Sequence, residues 1–279
     1  METKLNQLRT MLAGLAPEGI CAAFSGGTDS SLLLTVLSEL RAQSPYPLLA
    51  VIFTTAFQTA EETLAALSLA EELGVPAETV SFDVLADPVL RMNPKDRCYQ
   101  CKRRLFAEMK RIAGSRGLTY LMDGTNADDT KVYRPGRKAL EELGVLSPLA
   151  ICGFTKDEVR RAARELLVPT AGKPSSPCLA TRFPYGTELT DEALRRVEHG
   201  ETYLRNLGLG TVRLRVHGPC ARLETDEEGF RTVAERRSEV ALELRRIGFA
   251  YAALDLEGFR SGSMDEPLPV DGKEKPAGA

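Results

Sequence analysis

The chain has 279 residues, 43% of them hydrophobic, and a formal net charge of −3. This length exceeds the usual single domain and predicts a core of about 150 residues plus a smaller one. Because no run of 18 apolar residues occurs and residues 1–10 lack a signal-peptide pattern, we expect a cytoplasmic protein without membrane contact. The negative charge argues against a nucleic-acid partner and leaves small anionic ligands open.

The first predicted elements are a strand, a glycine turn and a helix. Residues 20–24, ICAAF, form a short apolar run typical of a buried parallel strand, and residues 32–40 have helical apolar spacing. Between them lies SGGTDS, where bare backbone before a helix N-terminus predicts a phosphate cradle. The Walker A loop is excluded because no Lys follows the second glycine, and the dinucleotide fingerprint because a third glycine is missing. A glycine turn with a serine cap is the structural alternative.

Strands and helices continue to alternate as far as residue 170. Strands are predicted over residues 48–53, 78–84 and 118–124, and capping residues predict helices from positions 59 and 155, with a basic helix following the CxxC segment at 98–101. The alternation predicts an α/β fold with a parallel sheet and ligands at the carboxyl ends of its strands. At one such end, Asp128 and Asp129 are candidates for contact with a nucleotide or magnesium, or for a helix cap and its solvated neighbour.

A second, smaller domain is predicted beyond a loop rich in Gly, Pro and Ser. This loop, residues 170–186, has the sequence TAGKPSSPCLATRFPYG and is predicted to be a hinge with a functional role. The segments that follow predict an α+β domain: a helix over 190–208, strands over 211–218 and 221–224, a helix over 226–248 and a strand over 251–260. The predicted domains are 1–170 and 171–265, followed by a flexible tail over 266–279.

The six cysteines do not predict a disulfide framework, because no secretion signal accompanies them. Cys21 and Cys152 lie in apolar segments and are predicted to pack in the core, whereas the setting of Cys220 is ambiguous.

The other three cysteines lie in polar or proline-flanked segments. Cys98 and Cys101 have CxxC spacing before a helix, where the dipole would stabilise a thiolate, and Cys178 follows a proline. Three such thiols could hold three irons of a 4Fe-4S cluster and leave the fourth open to a non-protein ligand. The alternatives are a chance CxxC or a zinc site completed by His199 or His217.

The glycine turn resembles the PP-loop of the ATP pyrophosphatases, which bind the β and γ phosphates of ATP and release AMP from an adenylated substrate. The resemblance implies that Ser25, Gly26, Gly27 and Ser30 bind pyrophosphate and that Asp29 helps to hold Mg²⁺.

Longer segments resemble the ATP-dependent sulfur transferases of the LarE type over roughly residues 5–265. They include RCYQCKRRLF, DGTNADD, KPSSPCLATRFPYG, VRLRVHG and DLEGFRSGSM. The resemblance implies an enzyme of nickel-pincer nucleotide biosynthesis that adenylates a carboxylate of pyridinium-3,5-biscarboxylic acid mononucleotide and replaces AMP by sulfur, giving a thiocarboxylate. It also implies a small-molecule nucleotide substrate, a homo-oligomer and a downstream nickel-insertion protein.

The family has two sulfur sources. In one branch the cysteine that matches Cys178 gives up its own sulfur and becomes dehydroalanine; in the other, three cysteines hold a 4Fe-4S cluster that passes on an added sulfide. We favour the cluster because Cys98 and Cys101 accompany Cys178. The rival functions are a PP-loop enzyme that thiolates tRNA, which leaves the net charge and second-domain match unexplained, and a non-catalytic ATP-binding protein with structural zinc.

Two arginines alternate with apolar residues in the segment VRLRV. Arg213 and Arg215 therefore project from the same face of a strand, and their guanidinium groups could clamp a phosphate. The structural alternative is an exposed basic face without a ligand. The resemblance implies that they bind the mononucleotide and that Glu201 and Glu224 form an anionic or metal-binding patch nearby.

Overall fold

A computed structural model describes residues 1–130, 135–174 and 176–260, with only the backbone of Thr130. The chain divides into two compact units, Met1–Cys178 and a second that begins at Leu179. The predicted border at residue 170 lies slightly earlier, and the predicted tail over 266–279 lies outside the described residues.

The first unit is built on a four-stranded parallel sheet. Its strands are β1 (Ile20–Ala23), β2 (Leu48–Thr54), β3 (Ala77–Ser81) and β4 (Tyr120–Met122). They are ordered β3-β2-β1-β4, with Ile20 opposite both Leu48 and Tyr120. The predicted α/β fold with a parallel sheet is confirmed, although the third strand ends at Ser81 and not at residue 84.

Helices cover both faces of this sheet. They are α1 (Glu2–Leu15), α2 (Thr28–Gln43), α3 (Ala60–Glu72), α4 (Pro88–Arg91), α5 (Arg97–Ser115), α6 (Pro135–Leu143), α7 (Pro148–Ile151) and α8 (Lys156–Glu165). Successive strand residues alternate between two cores: Ile20 and Ala22 pack in one with residues of α1 and α2, and Cys21 packs in the other with residues of α5. Cys21 and Cys152 are both buried, which confirms their predicted packing role.

Local sequence sets the starts of two helices. At α3, the hydroxyl of Thr59 accepts from the N–H of Glu62, and the carboxylate of Glu62 accepts from the N–H of Thr59. Thr155 and Glu158 make the same reciprocal pair at α8. The predicted helix starts at Thr59 and Thr155 and the predicted capping box at Thr155 are confirmed, and α8 is thereby fixed with Lys156 at its first position.

The end of α8 is a Schellman motif. The N–H of Val168 donates to the carbonyl of Ala163 at 2.8 Å, and the N–H of Leu167 donates to Arg164 at 3.1 Å. Ala163 and Val168 also pack together with Ala171. Leu167 carries the required left-handed conformation, with φ of +55°, although its side chain is 87% exposed. The chain thus leaves α8 through a fixed turn towards Cys178.

The second unit packs helices against a three-stranded sheet. Its elements are α9 (Asp191–Asn206), β5 (Val212–His217), β6 (Cys220–Thr225), α10 (Glu227–Glu235), α11 (Arg237–Ile247) and β7 (Tyr251–Leu254). β5 and β6 are antiparallel, and β7 lies parallel to β6. The smaller α+β domain is confirmed. The single helix predicted over 226–248 is wrong, because the backbone of Arg236 leaves helical geometry with no Gly or Pro to announce it.

Within the described ranges, we find no helix of sufficient length and apolar character to cross a membrane.

The strained end of α8 gives a stability prediction. Replacing Leu167 by Gly should raise the free energy of unfolding by about 0.5–1 kcal/mol, because left-handed geometry costs a side chain about 1–2 kcal/mol and the chain entropy of Gly offsets part of this gain. Urea unfolding measures the change. Leu64, also exposed, lies inside α3, so Leu64→Gly is the control and should lower the same free energy by about 1 kcal/mol. Destabilisation by both substitutions would contradict the assignment of strain to Leu167.

Candidate functional site

The glycine loop joins β1 to α2. Gly26 has φ of +66°, and a Cβ at this position would lie 3.0 Å from the Cβ of Ala66. The hydroxyls of Ser25 and Ser30 lie 3.1 Å apart, and the N–H of Gly27 donates to Ser25 Oγ at 3.4 Å. The two serines therefore close the loop around backbone that carries no side chain.

The helix that follows this loop starts without a side-chain cap. α2 begins at Thr28 directly after Gly27, and no side-chain hydrogen bond caps that end. Its first N–H groups and the positive end of its dipole therefore suit an anion, as the sequence predicts.

A second loop meets the first at the carboxyl end of the sheet. β4 lies beside β1, and the segment after β4 approaches α2 so closely that a Cβ on Gly124 would lie 2.8 Å from the backbone nitrogen of Ser30. Only glycine fits this contact. The GTNADD segment and the glycine loop thus form one continuous site in the first unit.

Asp29 is held by two partners that sequence reasoning did not select. Its Oδ1 accepts from Asn126 Nδ2 at 3.0 Å, and its Oδ2 pairs with the ammonium of Lys156. Both the Asp29 and Lys156 side chains are partly buried. The ion pair places a positive charge beside the predicted phosphate loop and puts Lys156 in competition with any cation for Asp29.

Asn126 also shapes the acidic segment. Its side-chain oxygen accepts from the N–H groups of Asp128 and Asp129 at 2.9 and 3.2 Å. Asp128 Oδ2 accepts from the backbone N–H of Lys156 at 2.8 Å, so Asp128 acts on the first turn of α8. This geometry favours the helix-cap alternative for Asp128, and its role towards a nucleotide stays a prediction.

The three candidate cysteines all belong to the first unit. The CxxC pair does not precede a helix as predicted but lies at the start of α5 itself, with Cys98 exposed and Cys101 half-buried. Burial and the nearby Cys178 and Cys98 raise the pKa of Cys101 to about 12. Protein atoms crowd the thiol of Cys98 although the residue is exposed as a whole, and this loss of hydration, with Cys178, raises its pKa. The three thiols interact electrostatically, and the raised pKa values of Cys98 and Cys101 favour neutral thiols in the metal-free protein, whereas the sequence predicts a stabilised thiolate.

A buried arginine lies beside these thiols. Arg97 is 2% exposed, donates to the Cys98 side chain and pairs with Asn93, a fully buried residue in the left-handed conformation. Lys102, next in sequence to Cys101, lies 3.5 Å from the carboxylate of Asp123 at the end of β4. This contact anchors the cysteine helix at the end of the sheet that carries the glycine loop.

The described ranges hold no group of three or more His, Cys, Asp or Glu side chains close enough to bind a metal ion. A single ion draws its ligands tightly together, whereas a four-iron cube lies between more widely spaced thiols. The donor set of Cys98, Cys101 and Cys178 fits the cube in chemistry, and the cluster stays a prediction. Of the two histidines offered for zinc, His217 accepts at Nε2 from Arg222, which occupies that nitrogen, and His199 lies on α9 in the second unit.

The second unit contains a buried cluster of arginines and glutamates. Arg182 makes a bidentate pair with Glu201, at 2.8 and 3.0 Å, and both side chains are 2% exposed. Burial opposes ionisation of Glu201, but the hydrogen bond and charge of Arg182 outweigh it and lower the pKa of the carboxyl. Glu201 also accepts from the N–H of Leu214 at 3.1 Å.

Arg215 and Glu224 belong to the same cluster. Arg215 donates twice to Glu224, at 3.0 and 2.9 Å, and once to the carbonyl of Thr181 at 2.8 Å, while Arg222 approaches the other carboxylate oxygen of Glu224 at 3.0 Å. Arg213 stands opposite Glu224 in the sheet. Burial and the positive charge of Arg182 lower the pKa of Arg213 to about 10.

The arrangement brings together the four residues predicted for substrate binding. Arg213 and Arg215 do share a strand face, but that face is largely buried, so the alternative of an exposed basic face is wrong. Their role towards a mononucleotide stays a prediction. Arg182 was missed because its partner Glu201 lies in another segment of the chain, and Arg222 was also not selected.

The raised pKa of Cys101 predicts slow alkylation in the reduced, metal-free protein. Only the thiolate reacts, so the rate at Cys101 should rise about tenfold per pH unit from pH 8 to 11 without a plateau. Peptide-resolved mass spectrometry after iodoacetamide treatment measures it. The guanidinium-unfolded protein is the control, in which the rate should level off near pH 9–10. A plateau below pH 9 in the folded protein would mean that the helix does stabilise the thiolate.

Comparison with known proteins places the chain in a family. No family model matches it. The chain is 37% identical over 270 residues to an uncharacterised protein of Synechocystis sp., covering 96% of this chain and 99% of that protein. It is 36% identical over 269 residues to the pyridinium-3,5-bisthiocarboxylic acid mononucleotide synthase of Lactiplantibacillus plantarum, covering 96% and 97%. An uncharacterised protein of Methanocaldococcus jannaschii is 29% identical over 87% of the chain. Since similarity to the synthase extends over nearly the whole of both chains, this protein belongs to the LarE family, whose motifs its sequence resembles.

Proposed function

We propose that this protein is an ATP-dependent sulfurtransferase that converts a carboxylate of pyridinium-3,5-biscarboxylic acid mononucleotide into a thiocarboxylate. The observation that carries the proposal is the full-length similarity to the synthase of L. plantarum. The geometry of the first unit supports it, because the glycine loop and the start of the cysteine helix are anchored at the same end of one sheet.

The first step is adenylation. A substrate carboxylate oxygen attacks the α-phosphorus of ATP, the bond to the bridging oxygen breaks, and pyrophosphate leaves. The amides of the uncapped α2 terminus and the loop of Ser25, Gly26, Gly27 and Ser30 would hold the departing phosphates. Magnesium, when bound, would neutralise phosphate charge; the oxygen donors of Asp29 fit it chemically, in exchange with Lys156.

The second step is sulfur transfer. A sulfide-level sulfur attacks the acyl carbon of the adenylate, the carbon–oxygen bond to AMP breaks, and AMP leaves with that oxygen. Cys98, Cys101 and Cys178 would hold a 4Fe-4S cluster, which when bound carries the added sulfide. The buried guanidinium of Arg97 would offset negative charge at these thiolates and favour their deprotonation. The alternative, in which Cys178 donates its own sulfur, leaves the CxxC pair without a role.

The arginine cluster of the second unit supports an anionic substrate. Arg213 and Arg215 share one face of β5, and Glu201 and Glu224 hold the guanidinium groups of Arg182 and Arg215 in place. A cluster of arginine side chains suits a phosphate monoester. Glu201 and Glu224 are thus proposed to orient the site, and a metal-binding role for them is not needed.

Turnover chemistry tests the proposal. Pyrophosphate release from MgATP should depend on the biscarboxylate nucleotide, and the intact mass of the iron-loaded protein should not change after turnover. Anaerobic iron and acid-labile sulfide analysis accompanies the assay. Cys98→Ser and Cys101→Ser should abolish thiocarboxylate formation but retain pyrophosphate release, and the control Cys220→Ser, in the second unit, should retain both.

Three outcomes would contradict parts of the proposal. Dependence on tRNA would favour the thiolation enzyme, and absence of turnover with every substrate would favour the non-catalytic protein. Loss of one hydrogen sulfide from Cys178 would contradict the cluster as the source of sulfur but would leave the sulfurtransferase activity in place.

The ion pair of Asp29 predicts a binding defect. Lys156→Met removes a positive charge beside the predicted phosphate site, so the Kd of ATP should rise roughly 10- to 100-fold, the range for losing a charged interaction of about 1.5–3 kcal/mol. Isothermal calorimetry at fixed Mg²⁺ measures it. Lys138, which is 73% exposed, provides the control Lys138→Met, with an unchanged Kd expected. An unchanged Kd for Lys156→Met would remove Lys156 from the site.

A further inference from the structure

Thr28 is the position that the PP-loop motif leaves open, yet its side chain is buried and makes a specific contact. It is 4% exposed, and its hydroxyl donates to the carbonyl of Thr170 at 2.8 Å, with the carbonyl of Lys173 at 3.5 Å. A hydroxyl has one proton, so the shorter contact is the principal hydrogen bond. The residue thus ties the nucleotide loop to a segment 142 residues later in the chain.

A second hydrogen bond joins the same two segments. The ammonium of Lys173 donates to the carbonyl of Gly26 at 3.3 Å, so the turn at 170–173 also holds the loop. The turn is itself fixed: the N–H of Ala171 donates to Val168 and that of Lys173 to Thr170, both at 3.0 Å. Its connection to α8 is the Schellman motif described above. Two rigid elements are therefore joined through Thr28 and Lys173.

The segment held in this way leads directly to Cys178. Five residues separate Lys173 from Cys178 in sequence, counting Cys178 itself, and two of them are the prolines Pro174 and Pro177. Proline fixes φ and limits the directions that a short segment can take. The position of Lys173 therefore restricts where the Cys178 thiol can lie.

We propose that Thr28 is a positioning residue that couples the nucleotide loop to the placement of Cys178 for sulfur transfer. The proposal rests on the proposed function. When the loop holds the phosphates, the Thr28 hydroxyl holds the 170–173 turn against the loop, and Cys178 is kept where the adenylated carboxylate forms. Loss of the hydroxyl should impair the sulfur-transfer step more than adenylation.

The test compares Thr28→Val, which replaces the hydroxyl by a methyl group of similar size, with Thr28→Ser, which keeps the hydroxyl. In single turnovers, Thr28→Val should slow thiocarboxylate formation roughly 10- to 100-fold more than it slows pyrophosphate release, so that the acyl adenylate accumulates. Thr28→Ser should restore the parental rates. Equal slowing of both steps, or slowing of neither, would overturn the proposal.

A second measurement does not depend on turnover. In the parent protein and Thr28→Ser, a non-hydrolysable ATP analogue should lower the rate at which iodoacetamide alkylates Cys178; in Thr28→Val it should not. An equal response in all three proteins would overturn the coupling. If Thr28→Val fails to fold, Lys173→Met removes the reciprocal contact and should show the same loss of response. Failure of the proposed function would instead appear as absence of thiocarboxylate in the parent protein, with the alkylation result still deciding the coupling.

Discussion

Two loops approach at the carboxyl end of the parallel sheet until no side chain fits between them, and the rest of the first unit is arranged around that contact. A Cβ added to Gly124, which follows β4, would lie only 2.8 Å from the backbone nitrogen of Ser30. Gly26 meets a similar limit against Ala66. An anion can therefore approach the backbone N–H groups where side chains would otherwise block it.

Charge balance completes this site. The loop contains one acidic residue, Asp29, which lies where negatively charged phosphates are proposed to bind. Lys156 compensates it, and the capping box of Thr155 and Glu158 fixes the turn that carries Lys156. The capping box, which acts locally to start α8, therefore also places the ammonium of Lys156 at the site.

The two units differ in the groups that surround their buried arginines. In the first unit, Arg97 lies near thiols whose pKa values are raised by burial. These thiols are favoured in the neutral form while no metal is bound, and they would ionise when they bind a metal. In the second, carboxylates offset the arginines directly: Arg182 pairs with Glu201, and Arg215 with Glu224. Such pairs contribute little net stability compared with apolar packing, so their value lies in holding guanidinium groups at fixed positions.

Local patterns in the sequence determined the parallel sheet, the glycine loop, both capping boxes and the small second domain, because strand alternation, helix caps and glycine turns depend on neighbouring residues. The break at Arg236 escaped them because no Gly or Pro marks it. The start of α5 at Arg97 was missed although Asp96 stands at its N-cap position. Only the tertiary structure decided which residues far apart in the chain contact one another. Lys156 reaches Asp29 across 127 residues and Thr28 reaches Thr170 across 142, and contacts at such separations depend on how the helices pack and not on any spacing along the chain.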